Sequence, residues 1–177
     1  MRILRCQVWH DEAMLIPWAA LMLGAVAPLQ ATISVTPTHW VSRKDKVELV
    51  ITLSNQSDQP VTVLTGNTAT DNFFFDLRLV DDKGKVVWSG EEPRFVNSDD
   101  LPMGVFHTIE PHGSYRAALG WKLYNVAPGN YKLSAVYRVD PEREPNASRL
   151  YAGEIKEHHA FVGRVDSLPI DVTITAK

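Results

Sequence analysis

The sequence predicts an all-β chain, an immunoglobulin-like antiparallel β-sandwich following an N-terminal signal segment. Three observations carry that reading. Apolar residues recur at every second position through most of the chain beyond residue 31. Gly, Pro, Asn and Asp cluster between those runs, and no long stretch holds apolar residues at helical spacing. Alternation with polar residues gives each sheet one wet and one dry face, and two such sheets pack with their dry faces together. A closed barrel is the other architecture this pattern allows.

The elements follow in order. Met14 to Ala27 is uncharged and continuously apolar, and small residues and Gln30-Ala31 come after it. The run is shorter than the roughly 20 apolar residues of a spanning helix and contains Pro17, so it reads as a signal peptide, with the membrane met only during export. Ala25-Val26-Ala27 has the form of a cleavage site, but Pro28 disfavours cutting there. The expected division is therefore a signal peptide over 1–31 and a domain over 32–177, in the periplasm or secreted. Asp11 and Glu12 are unusual directly before such a run, which makes Met14 an alternative start. The single cysteine, Cys6, lies in this segment, leaving the mature chain to fold on its core without disulfides. A formal net charge of -3 and the lack of a basic stripe argue against nucleic acid as a partner.

Beyond the leader, Lys46 to Ser54 alternates, with Val47, Leu49, Ile51 and Leu53 on one face. Asn55 to Pro60 is a polar turn, and Val61 and Val63 begin a return strand. Phe73, Phe75, Leu77 and Leu79 share a face, and Asp81-Asp82-Lys83-Gly84 closes a hairpin onto Lys85 to Trp88. Val105 to Ile109, Ser114 to Leu123, Asn130 to Val139 and Leu168 to Thr175 complete the strands, the last with Ile170, Val172 and Ile174 inward. Pro111-His112-Gly113 and Val126-Ala127-Pro128-Gly129 are the turns between them.

The runs VELVITLSNQSDQPVTV, FDLRLVDDKGKVVW and GWKLYNVAPGNYKLSAVYRV, within Val47 to Val139, resemble the bacterial immunoglobulin-like domain of the intracellular proteinase inhibitor (BsuPI) type. The shared pieces are a polar Asn-x-Ser turn, a Phe-x-Leu strand leading to an acidic-Gly hairpin, and a Trp ahead of Pro-Gly-x-Tyr. Phe161 to Pro169 is similar to the closing segment of many secreted bacterial immunoglobulin-like domains, where an aromatic and Gly precede a Ser and a final strand. The resemblance implies the sandwich fold and, by the family's name, protease inhibition, with no inhibitory residue transferable to a position here. The leader and the segment after Val139 depart from that type.

Chemistry-bearing residues are sparse. Glu154, Glu157, His158 and His159 could ligate a transition metal, yet adjacent histidines on a strand face opposite ways and zinc spacing is missing. Asp140, Glu142 and Glu144 lack the alternation of a calcium loop. Ser114 near His107 and His112 has no Gly-flanked elbow. Trp40, Trp88 and Trp121 could stack a sugar or peptide, although sandwich cores use large aromatics more often. Asn146-Ala147-Ser148 fits a glycosylation acceptor. No enzyme activity, cofactor or metal is expected.

Long structureless connections tend to be functional or disordered, which makes Pro141–Ala160 the first candidate binding loop. It carries Arg143, Arg149, Tyr151, His158 and His159. Counting strands by parity puts it at one end with His112, the Glu110–Gly113 turn and the Asp81–Gly84 hairpin, and puts 89–103 and 124–129 at the other. The reading that follows is a non-catalytic extracytoplasmic binding or assembly module that recognises a protein or extracellular polymer through loops or a strand edge. The alternatives are a proteinase inhibitor and a metal-binding or carrier protein of the cell envelope.

Overall fold

The structure, a computed structural model, describes residues 28–41, 47–66, 74–89, 104–121, 126–142 and 151–176. Eleven strands and one short helix follow in order: β1 (Leu29–Thr36), β2 (His39–Val41), β3 (Val47–Asn55), β4 (Val61–Gly66), β5 (Phe75–Asp81), β6 (Val86–Ser89), β7 (Gly104–Ile109), β8 (Ser114–Trp121), β9 (Gly129–Val139), α1 (Ala152–Glu157), β10 (Gly163–Asp166) and β11 (Ile170–Thr175). The all-β sandwich holds. One sheet has the order β1-β3-β8 and the other β2-β11-β9-β5-β6, with β10 also on β9, while β4 and β7 form a ribbon of their own. Pairing is antiparallel except that β2 runs parallel to β11.

The alternation seen in the sequence sets the faces. Leu29, Ala31, Ile33 and Val35 of β1, Val47, Leu49, Ile51 and Leu53 of β3, and Ala117 and Leu119 of β8 are buried. They meet Phe75, Leu77 and Leu79 of β5, Leu133, Ala135 and Tyr137 of β9, and Val172 and Ile174 of β11 in one core. Trp40 is buried there and Trp88 packs against it, so both serve the core. The side chain of Trp121 lies outside the described residues, as does Phe73.

The first strand begins three residues ahead of the expected domain start at Thr32. β1 begins at Leu29, and Leu29 and Ala31 are only 3% and 2% exposed. Pro28 accepts a hydrogen bond from the Gln56 amide, and Ala31 forms a bridge with Ser167. The period-two run LQATISVT follows closely on the apolar Met14–Ala27 run, which hides it when the two are read together.

Three local devices shape the sandwich. At the Asp81–Lys85 hairpin, the Asp81 carboxylate accepts the Lys83 and Lys85 amides at 3.0 and 2.8 Å, and Gly84 takes φ 79°, a conformation that favours glycine. The Tyr131 hydroxyl donates to the Ala127 carbonyl at 2.6 Å, the tyrosine corner of immunoglobulin-like sandwiches, built on Pro128-Gly129-Asn130-Tyr131. Ser167 fills the gap on β9 between β10 and β11: its amide donates to the Ala135 carbonyl and its hydroxyl accepts the Ala135 amide, at 2.8 and 2.9 Å.

The ribbon is held by side chains. Asn55, fully buried at the end of β3, donates to the carbonyls of Gln59, Ile109 and Glu110, and its carbonyl accepts the Ser57 amide and hydroxyl. Tyr137 of β9, also fully buried, accepts the Leu64 amide and donates to the Leu64 carbonyl, at 3.0 and 2.9 Å. Burial pushes its phenol far above the ordinary value, offset in part by the Leu64 hydrogen bond.

Two outcomes are expected. A chain beginning at Thr32 loses a buried Leu and the end of a ladder, and its denaturation midpoint should report a stability about 2–4 kcal/mol below that of a chain beginning at Pro28. Tyr137→Phe strands both polar groups of Leu64 in the core and should cost about 1–3 kcal/mol. The folded wild type keeps a phenolic proton that the unfolded chain releases, so its stability falls as pH rises past about 10. Tyr137→Phe should lack that part of the decline in an alkaline denaturation series.

Candidate functional site

The expected binding loop is only partly visible. Arg143 and Arg149 lie outside the described residues, as do Asn146-Ala147-Ser148 and Glu144. Tyr151 precedes α1 and is committed to the fold. Its hydroxyl accepts the Gly104 amide at 2.6 Å, and its ring lies 6.4 Å from that of Phe74. A Cβ at residue 104 would sit 2.6 Å from the Tyr151 ring, so glycine is required there for packing. His158 is exposed, with its ring 4.5 Å from Phe106 of β7. His159 is exposed with φ 50°. His112, also left-handed at φ 58°, has its Nε2 3.0 Å from the Asp58 carboxylate.

Parity was right for one turn and wrong for another. The Glu110–Gly113 turn meets the Pro28 end of the three-stranded sheet through Asn55, and β1 runs alongside β10 from that end, where β9 finishes. His112 and α1 therefore share an end. The Asp81–Gly84 hairpin is at the opposite end, because Asp81 pairs with Tyr131 near the start of β9. Counting assumed that every strand crosses a face of the sandwich. β4 and β7 do not; as a separate ribbon they break the alternation.

The remaining chemical groupings are dispersed. The His107 ring lies 4.7 Å from that of Tyr115, tilted by 31°, and His112 faces Asp58. The Asp140 carboxylate accepts the Glu142 amide within its own turn. Among the described residues, no group of three or more His, Cys, Asp or Glu side chains is placed to hold a metal ion. On the outer face of the larger sheet, Arg164 donates from Nε to the Asp166 carboxylate at 2.7 Å and holds it below the usual carboxylate range, with Arg138 and Arg78 adding to the effect. A cleft of 260 Å³ lies over Asp81, Asn130, Lys132, Asp171 and Thr173, where Lys132 and Asp171 pair at 3.0 Å. That is under the roughly 300–1,000 Å³ of small-molecule pockets, and none of the expected site residues lines it.

The strand edges differ from one another more sharply than the loops. β6, at one end of the larger sheet, has four residues, a register shift opposite Leu79/Val80 and Lys85 at its entrance. Short length, irregularity and lysine are the usual protections of an edge. β2, at the other end, has three residues. β1 makes one isolated bridge on its outer side, Ala31 with Ser167. β8 has eight residues in unbroken register with β3, Ser114↔Ser54 through Trp121↔Val47. It contains neither Pro nor Lys, and among the described residues no strand pairs with its other side.

Backbone parity identifies what that edge offers. The Asn55 amide donates to the Gly113 carbonyl and the Gln56 amide to the Pro28 carbonyl. Odd-numbered residues of β3 therefore bond to β8, and even-numbered ones bond to β1. On β8 the odd residues are thus spent on β3, while Ser114, Arg116, Ala118 and Gly120 direct their amides and carbonyls away from it. Ser114, Arg116 and Ala118 are exposed. Sequence patterning finds the strand but not the edge, since edge position depends on which strands become neighbours.

No protein-family model matches the chain. No curated protein matches it in sequence. Among solved structures it is similar to the Pseudomonas fluorescens alkylpurine DNA glycosylase AlkC bound to DNA containing an abasic site analog, at a TM-score of 0.36 and 10% identity. The match covers 85% of this chain and 31% of that one, so the chain spans about a third of that structure's length.

If Tyr151 is a fold residue, Gly104→Ala should dislodge it. The expected result is a loss of about 1–3 kcal/mol in thermal or chemical denaturation, as for overpacking, with faster amide exchange across 151–157. Unchanged exchange there would mean that the Gly104–Tyr151 contact does not anchor α1.

Proposed function

We propose that this protein is a non-catalytic binding or assembly module acting outside the cytoplasm, and that it takes up an extended polypeptide strand along β8. The observation that carries the reading is the eight-residue β8 edge, in unbroken register with β3 and without the register shift that interrupts the β5–β6 pairing. Strand addition draws its affinity from main-chain hydrogen bonds and its selectivity from side chains at alternate positions. Even positions 114, 116, 118 and 120 supply the main-chain groups. Tyr115, Ala117 and Leu119 point to the core side and leave the outer surface to Ser114, Arg116 and Ala118. The export reading rests on the apolar Met14–Ala27 run.

The experiment is a panel of synthetic eight-residue peptides with alternating apolar and polar residues, titrated against the wild type, Ala118→Pro, and the loop variants His112→Ala and His158→Ala. Proline removes an outward amide and is tolerated on edge strands. Ala118→Pro is expected to weaken binding at least tenfold, about 1.4 kcal/mol or one to two lost hydrogen bonds. The histidine variants should bind as the wild type does. Binding that survives Ala118→Pro and is lost with the histidines would transfer recognition to the loop end.

A further inference from the structure

Building on strand uptake at β8, we infer that the strand it receives is β8 of a second copy, paired antiparallel about Ala118. The outward-bonding residues fix the choice. With Ala118 opposite Ala118 of the partner copy, Arg116 stands opposite Gly120 and Gly120 opposite Arg116. Each pair exchanges its outward amide and carbonyl, for about six new hydrogen bonds. The two three-stranded sheets then become one sheet with the order β1-β3-β8-β8-β3-β1. The contact is isologous, as a two-fold dimer requires.

Charge selects this register. On the outer face, Gly120 is the register neighbour of Glu48, and Arg116 is the register neighbour of Thr52. Within one copy, Arg116 and Glu48 are therefore four residues apart along the strands, on the order of 13 Å. Among the described residues neither has an oppositely charged partner, and both are exposed. In the dimer, Arg116 of one copy, Gly120 of the other and Glu48 of that other copy fall in a single row. The two charged residues are then separated by two strand spacings, about 9.6 Å between Cα atoms, with a glycine between them. Long side chains bridge that span over a residue with no side chain. The two-fold axis makes the ion pair twice, and no like charges stand opposite one another. At the axis, Ala118 faces Ala118, which lets the strands approach without a bulky residue between them.

Sedimentation velocity of the purified protein over a range of concentrations tests this. The wild type should run as a dimer and Ala118→Pro as a monomer with a native circular dichroism spectrum. Arg116→Glu, a change at an exposed position that leaves the fold alone, should raise the dissociation constant at least tenfold. Adding Glu48→Arg to it should recover most of the loss. A wild type that stays monomeric at every concentration overturns self-pairing, as does a dimer indifferent to both Ala118→Pro and the charge reversal. A monomer that still binds panel peptides in an Ala118-dependent way loses only the second copy as occupant. A monomer that binds none of them loses strand uptake as well.

Discussion

A buried backbone must find hydrogen bonds, and the β4–β7 ribbon cannot find all of them in a ladder. Among the described residues its strands pair only with each other, yet Val63, Leu64 and Thr65 are completely buried. The Phe161 amide serves the Thr62 carbonyl and the Tyr151 hydroxyl the Gly104 amide, and two buried side chains do the rest. Tyr137 serves both main-chain groups of Leu64 from the larger sheet, and Asn55 collects the carbonyls of Gln59, Ile109 and Glu110 from the smaller one. Unsatisfied, such groups each cost about 1–3 kcal/mol. The ribbon is thereby joined to both layers through side-chain hydrogen bonds. The same clamps place the Glu110–Gly113 turn, from which β8 starts.

Among the described residues, that arrangement leaves β8 as an edge. The tight turn after Ile109 sends the chain from the ribbon into β8, and β7 diverges instead of lying alongside it. Among the described residues the other sheet edges carry a bridge at Ala31 of β1, are short at β2, and meet a register shift and Lys85 at β6. Natural sheets meet the hazard of open edges in these ways. A long regular edge left without them is the feature of this fold most suited to a partner. The histidines at the loop end are occupied differently, His158 against Phe106 and His112 with Asp58.

Much of the fold was legible in the residues. Period-two alternation located β3, β5, β8, β9 and β11 to within a few positions, because one buried face forces every second residue to be apolar. Turn chemistry located the Asp81–Gly84 hairpin and the Val126–Gly129 turn. β1 was missed because its apolar residues come closely after the uninterrupted apolar run Met14–Ala27, which masks their alternation. β2, β10 and α1 were missed because three to six residues are too few for a period to declare itself. The candidate site was scarcely legible. Tyr151 reads as a contact residue in a loop, and only its seat on Gly104 reveals a packing role.

By itself, the sequence determined fold class, strand faces and the absence of cysteine beyond Cys6, since these follow from side-chain period and composition along the chain. Only the tertiary structure decided which strands are neighbours, which edges stay open, and that Asn55 and Tyr137 complete the ribbon. Those outcomes depend on backbone hydrogen-bond satisfaction between segments 54 to 73 residues apart. Amides and carbonyls are the same at every residue, so no pattern of residue types records where each of them finds its partner.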